Sequence, residues 1–383
     1  MSENDAYELT RFAKEQLGKL LLHLRIPGRI VVKGGHVFTG EETLIVCLTK
    51  IAHAEPWTML IKNKFGGNPD FWCYAFKWLM KYIYETFYHK FTGDSFAREW
   101  ADEVDDFREL VWKKMKISPC EVERFMNADG EDAEINIIDI AFQAFRIFGF
   151  IDDTLLHTSR PGSGPVGNHE HAPRRHDAYY IQRAFFRYVY NFNGIIYYSI
   201  HSYLFYFVSG YLKSHGIKLQ TLFLPNGMWG SLFCTSIRHN DKGTVNISGI
   251  VDQLMDNLQH MDGTNVYPAV WGDDIFELTP VLLRRLKPKD GLDINDFQKN
   301  MDKRLSSLRQ SIELGYGLVF KLFKILRKKD LFKLYKGADE ARHLASVCFF
   351  LCNCYTCFNG NVANSMFDSQ PPTLEEYLPL DDL

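Results

Sequence analysis

Two short apolar runs in this chain end on paired aspartates, and this constrains the fold more than any other feature. RIFGFI leads into Asp152 and Asp153, and VYPAVWG leads into Asp273 and Asp274. Short apolar runs bounded by Gly, Pro, Asn or Asp read as strands. A carboxylate at the end of a central strand is costly to bury alone. Glu313, in SSLRQSIELGYG, adds a third carboxylate from a long helical stretch. Two acids from separate strands and one from a facing helix could share a divalent cation. Hard oxygen ligands of this sort suit magnesium or manganese. Such a site activates water or a hydroxyl for attack on a phosphodiester. Asp also caps turns and helices, so spacing alone leaves both readings open.

Further strand signals lie in HGIKLQTLFLP and MWGSLFCTSIR, with helical stretches at Asn246–His260, Asp293–Leu326 and Leu331–Gly360. Strands first clustered and then interleaved with helices predict a mixed α/β sheet. Residues 1–140 read as mostly helical. Apolar positions recur at helical spacing in Glu42–Ala52 and Phe71–Tyr88, and KNKFGGNPD breaks the pattern between them. Helix, break, helix is compatible with a helix-turn-helix DNA reader and equally with a small helical bundle. The polar NADGEDAE of Asn127–Glu134 makes a boundary. The expected organisation is a helical region over 1–140, an α/β domain over 141–360 and an acidic, Pro-bounded surface strap over 361–383.

Composition narrows the function classes. With 46% hydrophobic and 24% charged residues among 383, the chain is globular, and a net charge of −3 excludes a polycation. Nucleic-acid binding would need a local basic face. From Arg284 to Lys336 there are fifteen Lys and Arg against six acids; this is either a solvated helix surface or a phosphate track. The polar start MSENDAYELTRF is unlike a secretory leader, so the eight cysteines are expected reduced. Cys348, Cys352, Cys354 and Cys357 alternate with Phe, Leu and Tyr. They fit buried thiols in a core helix better than the paired hooks of a zinc site. His169, His171 and His176 sit in a Gly-, Pro- and Asn-rich stretch that reads as a polar loop.

Arg187–Val208 (RYVYNFNGIIYYSIHSYLFYFV) is anomalous: strongly aromatic and near the length of a membrane span. Its Asn191, Asn193 and His201 count against a span, and no membrane association is expected. A buried aromatic helix is open. A translated retained intron is the preferred reading, because the codons for Arg-Tyr-Val and Val-Ser can hold a splice donor and acceptor. Removing the stretch joins AFF to SGYLKSHGIK.

In order, GFIDDT, SRPGSGP, APRRHDAYYIQRAFF, HGIKLQTLFLPNGMWGSLF, SIRHND, WGDDIF, RQSIELGYG and PPTLEEYL resemble the Harbinger-type DDE transposase family over residues 145–380. The resemblance implies an RNase H-like mixed sheet flanked by helices and an acidic triad. The triad falls on Asp152, Asp273 and Glu313, the last two 40 positions apart. Arg309 is one turn before Glu313, close enough to orient its carboxylate. Asp241, in RHND, matches a further family acid that would support the metal site or the DNA path. His215, Lys218, Arg238 and His239 match basic positions that could hold phosphates, with ordinary surface pairing open for each. Asp153 stands where the family usually has a neutral residue, and its charge beside Asp152 is expected to raise one pKa unless a cation intervenes. The implied activity is phosphodiester hydrolysis and strand transfer on DNA with magnesium or manganese, in the nucleus. A homo-oligomer or a separate Myb-like DNA-binding partner would fit. The alternative is a domesticated nuclear protein that binds DNA without cutting it.

Overall fold

The computed structural model describes residues 2–90, 99–117, 141–158, 208–209, 214–261, 264–287, 296–328 and 338–380. The His169–His176 loop and Arg187–Phe207 lie outside them. No described helix is long and apolar enough to cross a membrane.

The N-terminal part is helical, as the periodicity predicts, with one small addition. It runs α1 (Glu3–Thr10), α2 (Lys14–His23), a hairpin of β1 (Arg29–Val31) and β2 (Val37–Thr39), α3 (Gly40–His53), α4 (Trp57–Leu60), α5 (Pro69–Phe87) and α6 (Val104–Met115). Thr39 and Glu42 exchange side-chain and backbone hydrogen bonds, a capping box that starts α3. Between α4 and α5, one wide π-helical turn leads into Gly66 and Gly67, both at positive φ, where a side chain would be strained. The break read from KNKFGGNPD is this turn.

The second part contains β3 (Ile147–His157), β4 (Val208–Ser209), β5 (Ser214–Phe223), β6 (Trp229–Ser236), α7 (Asp241–Ser248), α8 (Ile250–Asn257), β7 (Ala269–Trp271), β8 (Leu282–Leu283), α9 (Asp296–Leu322), α10 (Ala338–Asn359), α11 (Val362–Phe367) and α12 (Leu374–Tyr377). The stretch expected as one helix from Asn246 is two, because Gly249 turns to φ +65° and ends α7. β3 lies centrally, antiparallel to β5 and parallel to β7; β6 and β4 pair antiparallel with β5, and β8 pairs parallel with β7. The result is the expected mixed α/β sheet with helices on its faces.

Register assigns the faces. Asp152 pairs with Thr221 on β5, and Asp153 with Gln220. Alternation sends the Asp152 and Thr221 side chains to one face and those of Asp153, Gln220 and Lys218 to the other. The long helix α9 covers the Asp152 face. Its Gly315 lies so close to the sheet that a Cβ there would meet Phe223 and Trp229 ring atoms at 3.0 Å. α7 begins on the Asp153 face.

Among the described residues, the N-terminal helices share their apolar core with the sheet and the C-terminal helices. One continuous apolar cluster runs from Ala6 on α1 to Leu378 after α12. The tail is more than a surface strap: Leu374, Tyr377 and Leu378 are buried, and the Leu378 carbonyl lies 2.7 Å from the His23 ring on α2. Cys348, Cys352 and Cys354 are buried on α10, where burial raises each thiol pKa and keeps it protonated.

Candidate active site

The site begins with two aspartates brought level by strand pairing. In the parallel β3–β7 pair, Phe150 faces Trp271. Asp152 and Asp273 are each two residues further on. Asp152 lies midway along β3, which runs on to His157, and Asp273 lies just past the end of β7; the two are close enough for Asp273 to raise the Asp152 pKa. Gly272 lets the chain pass closely there, since a Cβ would stand 2.5 Å from the Phe276 ring and 3.1 Å from Ile151.

Both aspartates are fixed in the same way. Asp152 Oδ1 accepts a hydrogen bond from the Asp153 backbone N–H at 2.9 Å, and Asp273 Oδ1 accepts one from the Asp274 N–H at 2.7 Å. Each thereby keeps a second oxygen to project. The second member of each pair turns away to cations. Asp153 lies 3.5 Å from Lys218 Nζ on the other face, and Asp274 pairs with Arg285 at 2.5 Å and Lys287 at 3.7 Å.

The third acid comes from α9. Arg309 Nη1 donates to Asp152 Oδ2 at 2.8 Å, and its Nη2 donates to Glu313 Oε1 at 3.1 Å. One guanidinium thus bridges a strand-borne acid and the helix-borne acid. Burial raises the Asp152 pKa, Arg309 works against that, and neighbouring Asp273 adds to it. Among the described residues, no three His, Cys, Asp or Glu side chains yet close around a single point. The donor set still fits a hard divalent cation. It consists of carboxylate oxygens, one set within β3 and one just past β7, with a guanidinium standing where positive charge is needed.

Two residues that sequence reasoning missed hold this arrangement. The Tyr316 hydroxyl donates to the Asp152 backbone carbonyl at 3.0 Å, and it lies 2.6 Å from Thr221 Oγ1. A carbonyl only accepts, so Tyr316 is the donor there and Thr221 donates to Tyr316. The available signal was periodic: Tyr316 follows Glu313 by three residues and Arg309 by seven, on one helical face.

Asp241 is not brought to the acids. It starts α7 behind the Asn240 cap and pairs with Lys218 on the opposite face of the sheet. Of the expected metal-site acids, Asp241 is therefore the one placed apart, because alternation along β5 sends its partner Lys218 away from Asp152. Lys218 is only 7% exposed and is held between Asp241 and Asp153, so it is not presented to a phosphate. Asp153 does not face Asp152 either. Its carboxyl is 5% exposed, and burial pushes its pKa up to about 8 despite Lys218. Arg238 is exposed in the turn after β6; beside it His239, its pKa lowered first by burial and then by Arg238 and Lys218, stays neutral. His215 is placed only by its backbone, opposite Val208 in β4–β5. In the basic stretch after β8, Arg284, Arg285 and Lys287 bind the 274–285 loop, and Arg304 binds carbonyls at the end of α6.

Residues 205–353 match the family model described as DDE superfamily endonuclease. The match spans β5 through most of α10 and takes in Asp273, Arg309 and Glu313. Asp152 lies before it and joins the site through strand register and Arg309. No curated protein and no solved structure matches the chain. The matched segment, less than half of the chain, is similar to DDE superfamily endonucleases.

Proposed function

We propose that this protein is a Harbinger-type, transposase-derived DNA nuclease whose triad is Asp152, Asp273 and Glu313. The observation that carries the reading is the nearness of Asp152, on β3, to Asp273, just past the parallel neighbour β7, with Glu313 joined to Asp152 through Arg309. The sheet order β6-β5-β3-β7-β8, with three antiparallel strands followed by two parallel to the first, supports an RNase H-like fold. The N-terminal helices, a nuclear location, a separate Myb-like DNA-binding partner and self-association belong to the same proposal and rest on the motif resemblance.

In this reading Asp152 and Asp273 offer their outer oxygens from the sheet, and Glu313 offers its carboxylate from α9. Divalent magnesium or manganese held by such acids would activate an attacking water or hydroxyl and steady the leaving oxygen. Tyr316 and Thr221 keep α9 at the height where Arg309 joins Glu313 to Asp152. Arg309, always charged, is placed to grip a phosphate with two parallel N–H groups. A hydroxyl at a DNA end in the attacking position gives strand transfer; water gives hydrolysis.

A plasmid-nicking assay with magnesium or manganese tests the proposal on the chain with and without residues 187–208. Asp152→Asn, Asp273→Asn and Glu313→Gln should each abolish metal-dependent nicking while leaving DNA affinity in place. Nicking that survives all three substitutions removes the triad. DNA binding with no nicking by the unsubstituted chain favours the binding-only derivative.

A further inference from the structure

Arg309 holds the very oxygens a cation would take. Asp152 Oδ1 is committed to the Asp153 N–H, so Oδ2 is its outward oxygen, and that is the one Arg309 Nη1 binds. The same guanidinium binds Glu313 Oε1 through Nη2. Asp273, the neighbour of Asp152, accepts no hydrogen bond from a cation among the described residues. The pairing is sheltered, with the Arg309 and Asp152 side chains 19% and 20% exposed.

We propose that Arg309 is a resident counter-cation, exchanged when a divalent cation binds and then handed to a DNA phosphate. This rests on the triad reading above. A guanidinium does not lose its proton in proteins, so it leaves Asp152 and Glu313 as a cation. It stays tethered to α9, one turn from the acids. The nearest anion of matching geometry, once DNA lies across the acids, is a phosphate that accepts two parallel N–H groups. Two consequences follow. Without DNA, Arg309 competes with the metal for Asp152 and Glu313. With DNA, its release supplies a phosphate contact, so metal and DNA each strengthen the binding of the other by the same factor.

The test uses the full chain. Affinity for manganese alone is read from the electron paramagnetic resonance signal of the free ion, for wild type, Arg309→Met, Arg309→Lys and Asp152→Asn. The methionine variant should bind manganese about tenfold more tightly than wild type. Lysine keeps the charge but loses the fork, and should fall between them. Equal or weaker binding by Arg309→Met overturns the proposal, because an arginine that only orients its acids would help them hold the ion. If Arg309→Met does not fold by circular dichroism, the lysine variant decides: tighter than wild type supports the exchange, equal or weaker overturns it. If wild type and Asp152→Asn bind manganese alike, the triad reading has failed, and this inference fails with it. A second arm follows a fluorescent DNA duplex by anisotropy with and without calcium. Wild-type affinity should rise with calcium and that of the arginine variant should not; equal rises overturn the transfer to phosphate.

Discussion

The hydroxyl of Tyr316 donates to the backbone carbonyl of Asp152 at 3.0 Å, so the helix that bears Glu313 is bonded to the strand residue it must face. Thr221, the cross-strand partner of Asp152, completes the link from β5. Tyr316→Phe would leave the Asp152 carbonyl and the Thr221 hydroxyl without this partner in a buried site. The expected cost is about 1–3 kcal/mol in urea unfolding. A double-mutant cycle with Thr221→Val should show coupling between the two positions, and independent, additive effects would refute the link. Metal-dependent nicking should fall more in Tyr316→Phe than in Thr221→Val, since of these two side chains Tyr316 is the one hydrogen-bonded to Asp152.

Gly315 sets how closely α9 approaches the sheet. A methyl group there would press on Phe223 and Trp229 at about the distance where real contacts give way. Rings packed between a strand and two helices have little room to retreat. Gly315→Ala should therefore cost about 1–3 kcal/mol despite the better helix propensity of alanine. Thermal unfolding checks this, and an unchanged or raised midpoint would show that the helix can shift freely. Gly317, with nothing near its missing Cβ, is the control: Gly317→Ala should be neutral or stabilising.

The acids were legible because a carboxylate that interrupts an apolar run is costly to bury without a purpose; the end of the run was not the end of the strand at Asp152, since β3 continues to His157. Which member of each Asp-Asp pair faces the site was implied by the family resemblance alone, because apolar patterning does not fix the register against β5 and β7. That same register puts Lys218, and with it Asp241, on the far face, whereas the family resemblance implied a phosphate contact for Lys218 and a metal or DNA-path role for Asp241. β8 pairs over two residues and the β1–β2 hairpin over three, too few for an alternating pattern to emerge. Tyr316 was hidden for a different reason. A tyrosine in an apolar helix reads as core, and nothing local shows that its hydroxyl reaches a backbone carbonyl 164 residues away.

Asp153 makes stability depend on pH with a definite sign. Its ordinary pKa is 3.8, and burial lifts it to about 8 in the folded chain. The folded state therefore keeps a proton that the unfolded state releases. Asp153 is most favourable to folding below its ordinary pKa, and its contribution is lost as pH rises towards 8. Asp302, lifted first by burial to about 6, acts in the same direction over a lower range. Between pH 6 and 8 the Asp153 share should dominate this pair, with a slope of at most about 1.4 kcal/mol per pH unit for one proton. Asp153→Asn should flatten the urea midpoint over that interval and raise it at pH 8. An identical slope in the variant would place the titration elsewhere.

Basic residues that are not tied into the fold lie at the end of α9 and just beyond it. Lys321, Lys324 and Lys328 are exposed, whereas Arg284, Arg285, Lys287 and Arg304 of the same basic stretch are engaged internally. If DNA runs from the acids along this helix, these lysines meet its backbone phosphates and not its bases. Their contribution is then electrostatic and blind to sequence. Replacing each with Gln should weaken duplex binding to a similar degree on unrelated sequences, and should reduce the slope of log affinity against log salt by about 1 per lysine removed. Anisotropy titrations at several salt concentrations measure this. A triple variant with an unchanged slope would move the DNA path off this end of α9 while leaving the triad untouched, because none of the three lysines lies within two helical turns of Glu313.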